Sequence, residues 1–469
     1  MPLRGRPKRS RPDAPSGPFK PREHVRRVLL TLLMLVLATA GCEGPTSAGS
    51  SLPRPGAAQG RAGNCTGPGA DYPRTATYYL DPYRLPGVAK LARYDVVVLD
   101  SEWAHRVPRR FFRRLRAVDP GVCLFAYVNL VDRPDQLGSR GYWADRYSLW
   151  QFVDSTTSRF PRRWRATTAE GEPVSEYRRT TMANLTAHAP SVRGEIYAEY
   201  AARWVANTVW STGLWDGIYL DVWGDRIYTA DVDAWDSDRD GVDEPAAEIY
   251  GAGNPWALGL FRAERIMRHQ MPKAVIVVNG DRTLRDERLD GRVWESFVDP
   301  KSGRVTKNDL EDYVTVTAGD GHRRPGVALT VNVRRAAPGS ANDMRTARFR
   351  LASTLMQDGF WAPMGVHYGR LAYYRMLAPA KLGRGYLGRP LVKSPDWSAL
   401  TSPFDRGVGS IRRGVFRRDF EHGIVLVNTT ATRQRIELSK AYRNVHNGKV
   451  KTAVSLAPRD GVLLVRLGV

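Results

Sequence analysis

Trp215-Asp216-Gly217-Ile218-Tyr219-Leu220-Asp221 is a short apolar run that ends on a carboxylate and leads into Val222-Trp223-Gly224-Asp225. It is too short for a helix and is bounded by turn formers, so it reads as a buried strand with Asp221 at its carboxyl end. Seven further runs of this kind occur, at 77–80 (TYYL), 95–99 (DVVVL), 122–128 (VCLFAYV), 274–278 (AVIVV), 292–297 (RVWESF), 326–333 (GVALTVNV) and 359–364 (GFWAPM). Between them, residues 107–118, 196–209 and 342–356 carry apolar side chains at helical spacing. Strands that alternate with helices imply parallel strands joined by crossovers. Eight of them predict an α/β fold, a (β/α)8 TIM barrel over residues 71–390.

From Leu391 onward the rhythm changes. The runs 415–420 (VFRRDF), 423–428 (GIVLVN), 435–438 (RIEL) and 462–465 (VLLV) are short, with turns between them and no helical period. Residues 391–469 are therefore expected to form a small all-β sandwich.

The other end of the chain reads as an export signal. Residues 1–27 are basic and Pro-rich, and Val28–Ala40 is apolar without a break, shorter than the about 20 residues a membrane span needs. Thr39-Ala40-Gly41-Cys42 has the small-residue pattern that precedes an acylated Cys. Residues 1–41 are read as a lipoprotein-type signal peptide, Cys42 as the lipidation site, and 42–70 as a Gly/Pro/Ser-rich tether. This makes the protein exported, membrane-anchored through lipid or else secreted. Cys65 and Cys123 would pair outside the cytoplasm, or Cys123 would be an inert core thiol.

The formal net charge is +23, which raises the question of nucleic acid. Nine Lys and Arg stand against Asp13 and Glu23 within residues 1–41, the remaining Arg residues are scattered, and no zinc spacing or helix-turn-helix signature occurs. No nucleic-acid partner is expected.

A barrel works at the carboxyl ends of its strands. The polar and aromatic residues there are Asp100 and Glu102, Asn129, Asp221 with Trp223 and Asp225, Asn279, Glu295 and Trp361. Asp221 and Glu295 are the candidate catalytic pair, since glycosidic cleavage needs one ionised and one protonated carboxyl group. Asp221 is read as nucleophile. Glu295, between Trp294 and Phe297, is read as general acid/base because burial there would favour its neutral form. Asp100, Glu102, Asn129, Trp223, Asp225, Asn279 and Trp361 are read as substrate-binding groups. Asn184 and His188 are further candidates to line the cleft. No cofactor is required for this chemistry.

Asp236-Ser237-Asp238-Arg239-Asp240-Gly241-Val242 has the D-x-D-x-D-G pattern that opens a calcium loop. The expected ligands of a structural Ca²⁺ are Asp236, Asp238, Asp240, the carbonyl of Val242, and a carboxylate from Asp243, Glu244 or Glu248, with Glu244 preferred.

The segments 215–221 (WDGIYLD), 277–280 (VVNG), 293–297 (VWESF), 355–360 (LMQDGF) and 420–428 (FEHGIVLVN) together resemble the bacterial glycosyl hydrolases grouped as family fifteen of the hydrolase-like set, distinct from the glucoamylases. More distantly the chain is similar to the endo-α-1,4-polygalactosaminidases. The resemblance runs from about Arg74 to Val469. It implies a barrel hydrolase acting on a polysaccharide, of α-linked or amino-sugar type, with its catalytic roles falling on Asp221 and Glu295. The competing reading is a non-catalytic carbohydrate-binding or envelope lipoprotein on the same scaffold.

Overall fold

The computed structural model describes Cys65 and residues 71–81, 84–134, 162–177, 180–227, 230, 232–299, 309–319, 325–365 and 369–468. All fall within one compact unit, Pro53–Val469. Cys42 and residues 1–41, which the sequence suggests are a signal peptide, lie outside the described residues. Among the described residues no helix is long and apolar enough to cross a membrane.

Eight strands form one parallel sheet in chain order: β1 (Ala76–Tyr79), β2 (Val96–Asp100), β3 (Cys123–Asn129), β4 (Gly217–Asp221), β5 (Val275–Asn279), β6 (Gly291–Glu295), β7 (Val327–Val333) and β8 (Phe360–Met364). The sheet closes on itself. The Trp361 N–H donates to the Arg74 carbonyl at 3.1 Å, and Thr75 bridges Trp361 in parallel register. Each run read from the sequence falls on its strand to within two residues.

Alternation along each strand sends one set of side chains into the barrel and the other outward. Ala76, Tyr78, Val96, Val98, Phe125, Tyr219, Val277, Val293, Leu329 and Phe360 belong to a core inside the barrel. Val97, Leu99, Leu124, Ile218, Leu220, Ile276 and Val278 point outward into the helical layer. The main helices are α1 (Arg109–Val118), α2 (Tyr197–Trp204), α3 (Pro255–Gln270), α4 (Glu311–Ala318) and α5 (Ala341–Thr354). The apolar spacing located α1, α2 and α5 but not the other two. In α4, Val314-Thr315-Val316-Thr317 is β-branched and reads as strand. In α3, Gly259 lowers helix propensity, yet a Cβ there would lie 1.7 Å from the Leu185 carbonyl oxygen, so the helix can reach that backbone only with glycine.

The thiols are paired: Cys65 is bonded to Cys123, the first residue of β3, and both are buried in the core inside the barrel.

The all-β domain that follows comprises β9 (Val408–Arg412), β10 (Val415–Asp419), β11 (Gly423–Asn428), β12 (Gln434–Asn444), β13 (Val450–Leu456) and β14 (Asp460–Arg466). They form one antiparallel sheet in the order β9-β10-β11-β14-β12-β13. Both of its faces are apolar: Phe416, Val425, Val427, Leu463 and Val465 join a core with α5, while Val415, Ile424, Leu426, Ile436, Val454 and Leu464 form the other. The sequence reading found the inner strands and missed β9 and β13. Those two are the edge strands, which bury least and so carry the weakest apolar signal.

Two ion pairs tie this sheet to the barrel. Arg348 on α5 meets Asp460 with two contacts of 3.0 Å. Arg418, fully buried on β10, donates to Asp358 at 2.5 Å. Burial alone would raise the Asp358 carboxyl. Arg418 and the Ser394 donors outweigh it and bring it down to about 2. A folded-state value below the unfolded one stabilises the fold above the ordinary Asp range, and that stability is lost as pH falls through about 2. Truncating one partner of a buried pair costs roughly 3–5 kcal/mol. Arg418→Ala is expected to lose that much in urea unfolding at pH 7, with the deficit narrowing toward pH 2; a pH-independent deficit would assign the loss to packing alone.

Candidate active site

The inward parity that fills the barrel continues to the carboxyl ends of the strands, and in β2 to β6 the last inward residue is polar. Asp100 follows Val96 and Val98, Asn129 follows Phe125 and Tyr127, Asp221 follows Tyr219, Asn279 follows Val277, and Glu295 follows Val293. All five therefore share the inner face. Asn129 stands opposite Asp221, and Val293 opposite Asn279, so Glu295 lies one inward step above Asn279.

Asp221 is held by three donors. The Tyr127 hydroxyl donates to Oδ2 in a short bond. Asn279 Nδ2 donates to Oδ1 at 2.8 Å, and the Val222 N–H reaches the same oxygen at 3.1 Å. Asn279 also lies beside the Glu295 carboxyl, where its amide favours the ionised form, so that it neighbours both acids. Glu295 is reachable by solvent, but it sits among protein at the barrel mouth. Desolvation first, and the negative charge of Asp221 second, push it up to about 7, against the Asn279 hydrogen bond. The cause differs from the one the sequence suggested. Trp294 and Phe297 do not cover Glu295; both pack outward on α4, with Trp294 Nε1 donating to Asp312 at 2.7 Å.

The backbone after each acid is left-handed. Val222 has φ 56°, and Ser296 has φ 51°. A β-branched residue in this region costs on the order of 1–3 kcal/mol and is retained where its surroundings hold it. Next to Val222, Gly224 and Gly280 bring the loops after β4 and β5 into contact: a Cβ on Gly280 would lie 2.5 Å from the Gly224 nitrogen. The Trp223 N–H then donates to the Asn279 carbonyl at 2.7 Å.

Other residues selected from the sequence have structural positions. Trp223 is fully buried and donates Nε1 to Glu264 at 3.1 Å, and Trp361 is buried on the outer face with Nε1 on Asn332 at 3.1 Å. Neither can stack on a substrate, because an outward or covered ring is out of reach of the mouth. Asp225 is ion-paired with Arg282, which also binds Glu264 at 2.7 Å. Glu102 is buried and pairs with Arg106 at 3.0 Å, while its N–H caps Asp100 at 3.0 Å. Asn184 is buried and donates to the Ser237 carbonyl at 2.7 Å, and His188 is on the surface.

Tyr127 was missed. It sits on the inward parity of β3, two residues before Asn129, so alternation could have found it.

Asp236, Asp238, Asp240 and Glu244 each present an oxygen, all within 4.8 Å of one another. Oxygens of one calcium shell lie at most about 5 Å apart, twice the Ca–O distance of 2.3–2.6 Å. Gly241 takes φ 92° at the turn, and Val242 is exposed. Asp243 is engaged elsewhere, accepting from the Ala169 N–H at 2.6 Å. The donor set fits a hard divalent cation.

The family described as hypothetical glycosyl hydrolase family 15 matches residues 116–424. No curated protein sequence matches the chain. Among solved structures, a GH36 α-galactosidase from Geobacillus stearothermophilus, in complex with stachyose, is 13% identical with a TM-score of 0.38 and covers 84% of this chain. The chain spans about half of that protein's length, 55%. A GH27 β-L-arabinopyranosidase from the same organism is 9% identical with a TM-score of 0.42, covering 87% of this chain and 99% of its own. Ttha1563 from Thermus thermophilus is 15% identical with a TM-score of 0.38, covering 85% and 94%.

The coupling of the two acids can be read by NMR titration with carboxyl-carbon labelling. Glu295 is expected to titrate at about 7. In Asp221→Asn its midpoint should fall, because one of the two forces raising it is gone while desolvation remains. An unchanged midpoint would mean that the acids do not sense each other.

Proposed function

Starting from the fact that this chain belongs to hypothetical glycosyl hydrolase family 15, we propose that it hydrolyses a polysaccharide through Asp221 and Glu295. The observation that carries this reading is the placing of both carboxyls on the inner face of β4 and β6, on either side of Asn279 of β5, where desolvation and the charge of Asp221 push Glu295 up to about 7. A glycosidase needs its two carboxyls in opposite protonation states. Protonated Glu295 donates its proton to the glycosidic oxygen as that bond breaks. Ionised Asp221, oriented by Tyr127 and Asn279, attacks the anomeric carbon and forms a glycosyl ester. Glu295, now a carboxylate, takes a proton from the water that cleaves the ester, which restores both groups.

The same proposal places the protein outside the cytoplasm, anchored through an acylated Cys42. The Val28–Ala40 run and the Cys65–Cys123 disulfide support this, since such bonds persist in oxidising compartments. It also assigns a structural Ca²⁺ to Asp236, Asp238, Asp240, Glu244 and the Val242 carbonyl.

Glu295→Gln and Asp221→Asn should each lower kcat about 10²–10⁴-fold on a confirmed glycan. Wild-type activity should decline as pH rises through about 7, where Glu295 loses its proton; retention of near-wild-type turnover by either variant would reject the pair. Adding Ca²⁺ to chelator-stripped protein should raise its stability by about 2.7 kcal/mol at one hundred times the dissociation constant. The absence of binding heat in calorimetry would dismiss the ion. Mass spectrometry of membrane fractions should find Cys42 acylated, and an unmodified Cys42 there would rule out the anchor.

A further inference from the structure

We propose that Tyr177 is the stacking platform of a subsite beside Asp221 and Glu295, and that this subsite takes a pyranoside ring bearing no acidic group. The inference rests on the hydrolase reading above and names the substrate class of the same site.

The position of Tyr177 is set by backbone and side-chain bonds. After β3 the chain pairs Asp132–Pro134 with Thr180–Met182 in an antiparallel stem. Tyr177 lies just before the second strand of that stem. Its carbonyl accepts from the Thr180 N–H at 3.1 Å and the Thr180 hydroxyl at 2.8 Å. The Ser175 hydroxyl closes the turn on the Thr180 carbonyl at 2.5 Å. The Thr180 hydroxyl also reaches Asp132 at 3.3 Å, and Asp132 accepts from Asn129 Nδ2 at 3.1 Å. Asn129 is the β3 residue opposite Asp221. A chain of short contacts thus runs from the turn to the catalytic strand.

Stacking requires an aromatic face open to the ligand. Trp223 and Trp361 are 0% and 1% exposed, whereas Tyr177 is 38% exposed. Its hydroxyl lies in a negative field. Burial is the main cause that raises it, followed by the charges of Glu176, Asp221, Asp132 and Glu295. In a chain of net charge +23 such a site is a local feature and not a reflection of composition. An acidic sugar brought there would meet like charges, while a neutral or amine-bearing ring would not.

The test uses the mature protein carrying Glu295→Gln, so that bound glycan is not consumed. Calorimetry is run with neutral maltohexaose and galacto-oligosaccharides, with chitosan oligosaccharides, and with oligogalacturonate. At least one neutral or amine-bearing probe should bind and oligogalacturonate should not. Tyr177→Ala in this background should weaken binding roughly tenfold or more, and Tyr177→Phe, which keeps the ring, should stay within about threefold. The proposal is overturned if Tyr177→Ala binds like its parent, if Tyr177→Phe loses as much as Tyr177→Ala, if oligogalacturonate binds as tightly as the other probes, or if no probe binds. Turnover by the Glu295-containing protein reports separately on the carboxylates. Tyr177-dependent binding without turnover defeats hydrolysis and leaves the subsite standing. Turnover with binding indifferent to Tyr177 defeats the subsite alone.

Discussion

Closing eight parallel strands into a barrel leaves each side chain two directions, inward or outward, and alternation decides which. The rest of this molecule depends on that constraint. Inward residues low in the barrel must fill it, so they are mostly Val, Ala, Leu, Phe and Tyr. At the upper rim the same parity has no opposing wall to pack on, and polar residues can occupy it without being enclosed on every side. Asp100, Asn129, Asp221, Asn279 and Glu295 are in one mouth because each extends an inward series by one step. The outward series makes the complementary point: Trp294 and Asn332 each stand one residue before the end of their strands, yet they face away from the mouth, Trp294 packing on α4 and Asn332 bonding the Phe297 carbonyl and Trp361.

Bringing two carboxyls into one mouth creates an electrostatic problem that determines their chemistry. Both cannot ionise freely where solvation is poor. Asp221 has a phenol, an amide and a backbone N–H directed at its oxygens. Against desolvation and the charge of Asp221, Glu295 has one described amide, the one it shares with Asp221. Glu295 is therefore the carboxyl pushed up toward neutral pH. The unequal supply of donors to the two carboxyls follows from where β3 and β5 place Tyr127 and Asn279.

Much of this was legible in the sequence. The barrel strands were, because each is buried on both sides and shows as an apolar run. The placing of Asp221 and Glu295 at the barrel mouth was, because both acids end such runs. Trp223 and Trp361 were misassigned because an aromatic residue near a strand end is ambiguous until its direction is known. For Trp361 parity would have decided the matter. For Trp223 it would not, since the left-handed turn at Val222 breaks the alternation before it. Tyr177 was illegible for a different reason: its placement depends on hydrogen bonds between Thr180, Asp132 and Asn129, distant in sequence and without periodicity.

The turn at Val222 also explains residues that perform no chemistry. A left-handed β-branched residue next to Asp221 would relax, and move Asp221 with it, unless the chain beyond it were fixed. It is fixed on two sides. The Trp223 N–H is bonded to the Asn279 carbonyl, so the same residue that orients Asp221 by its side chain restrains the turn by its backbone. Behind it, Glu264 on α3 accepts from Trp223 Nε1, Arg282 and Arg288, and Arg282 extends the network to Asp225. Trp223 and Asp225 are then best understood as the anchors of the turn that aims Asp221. Their importance to the site is mechanical, and it would persist whatever sugar the mouth receives.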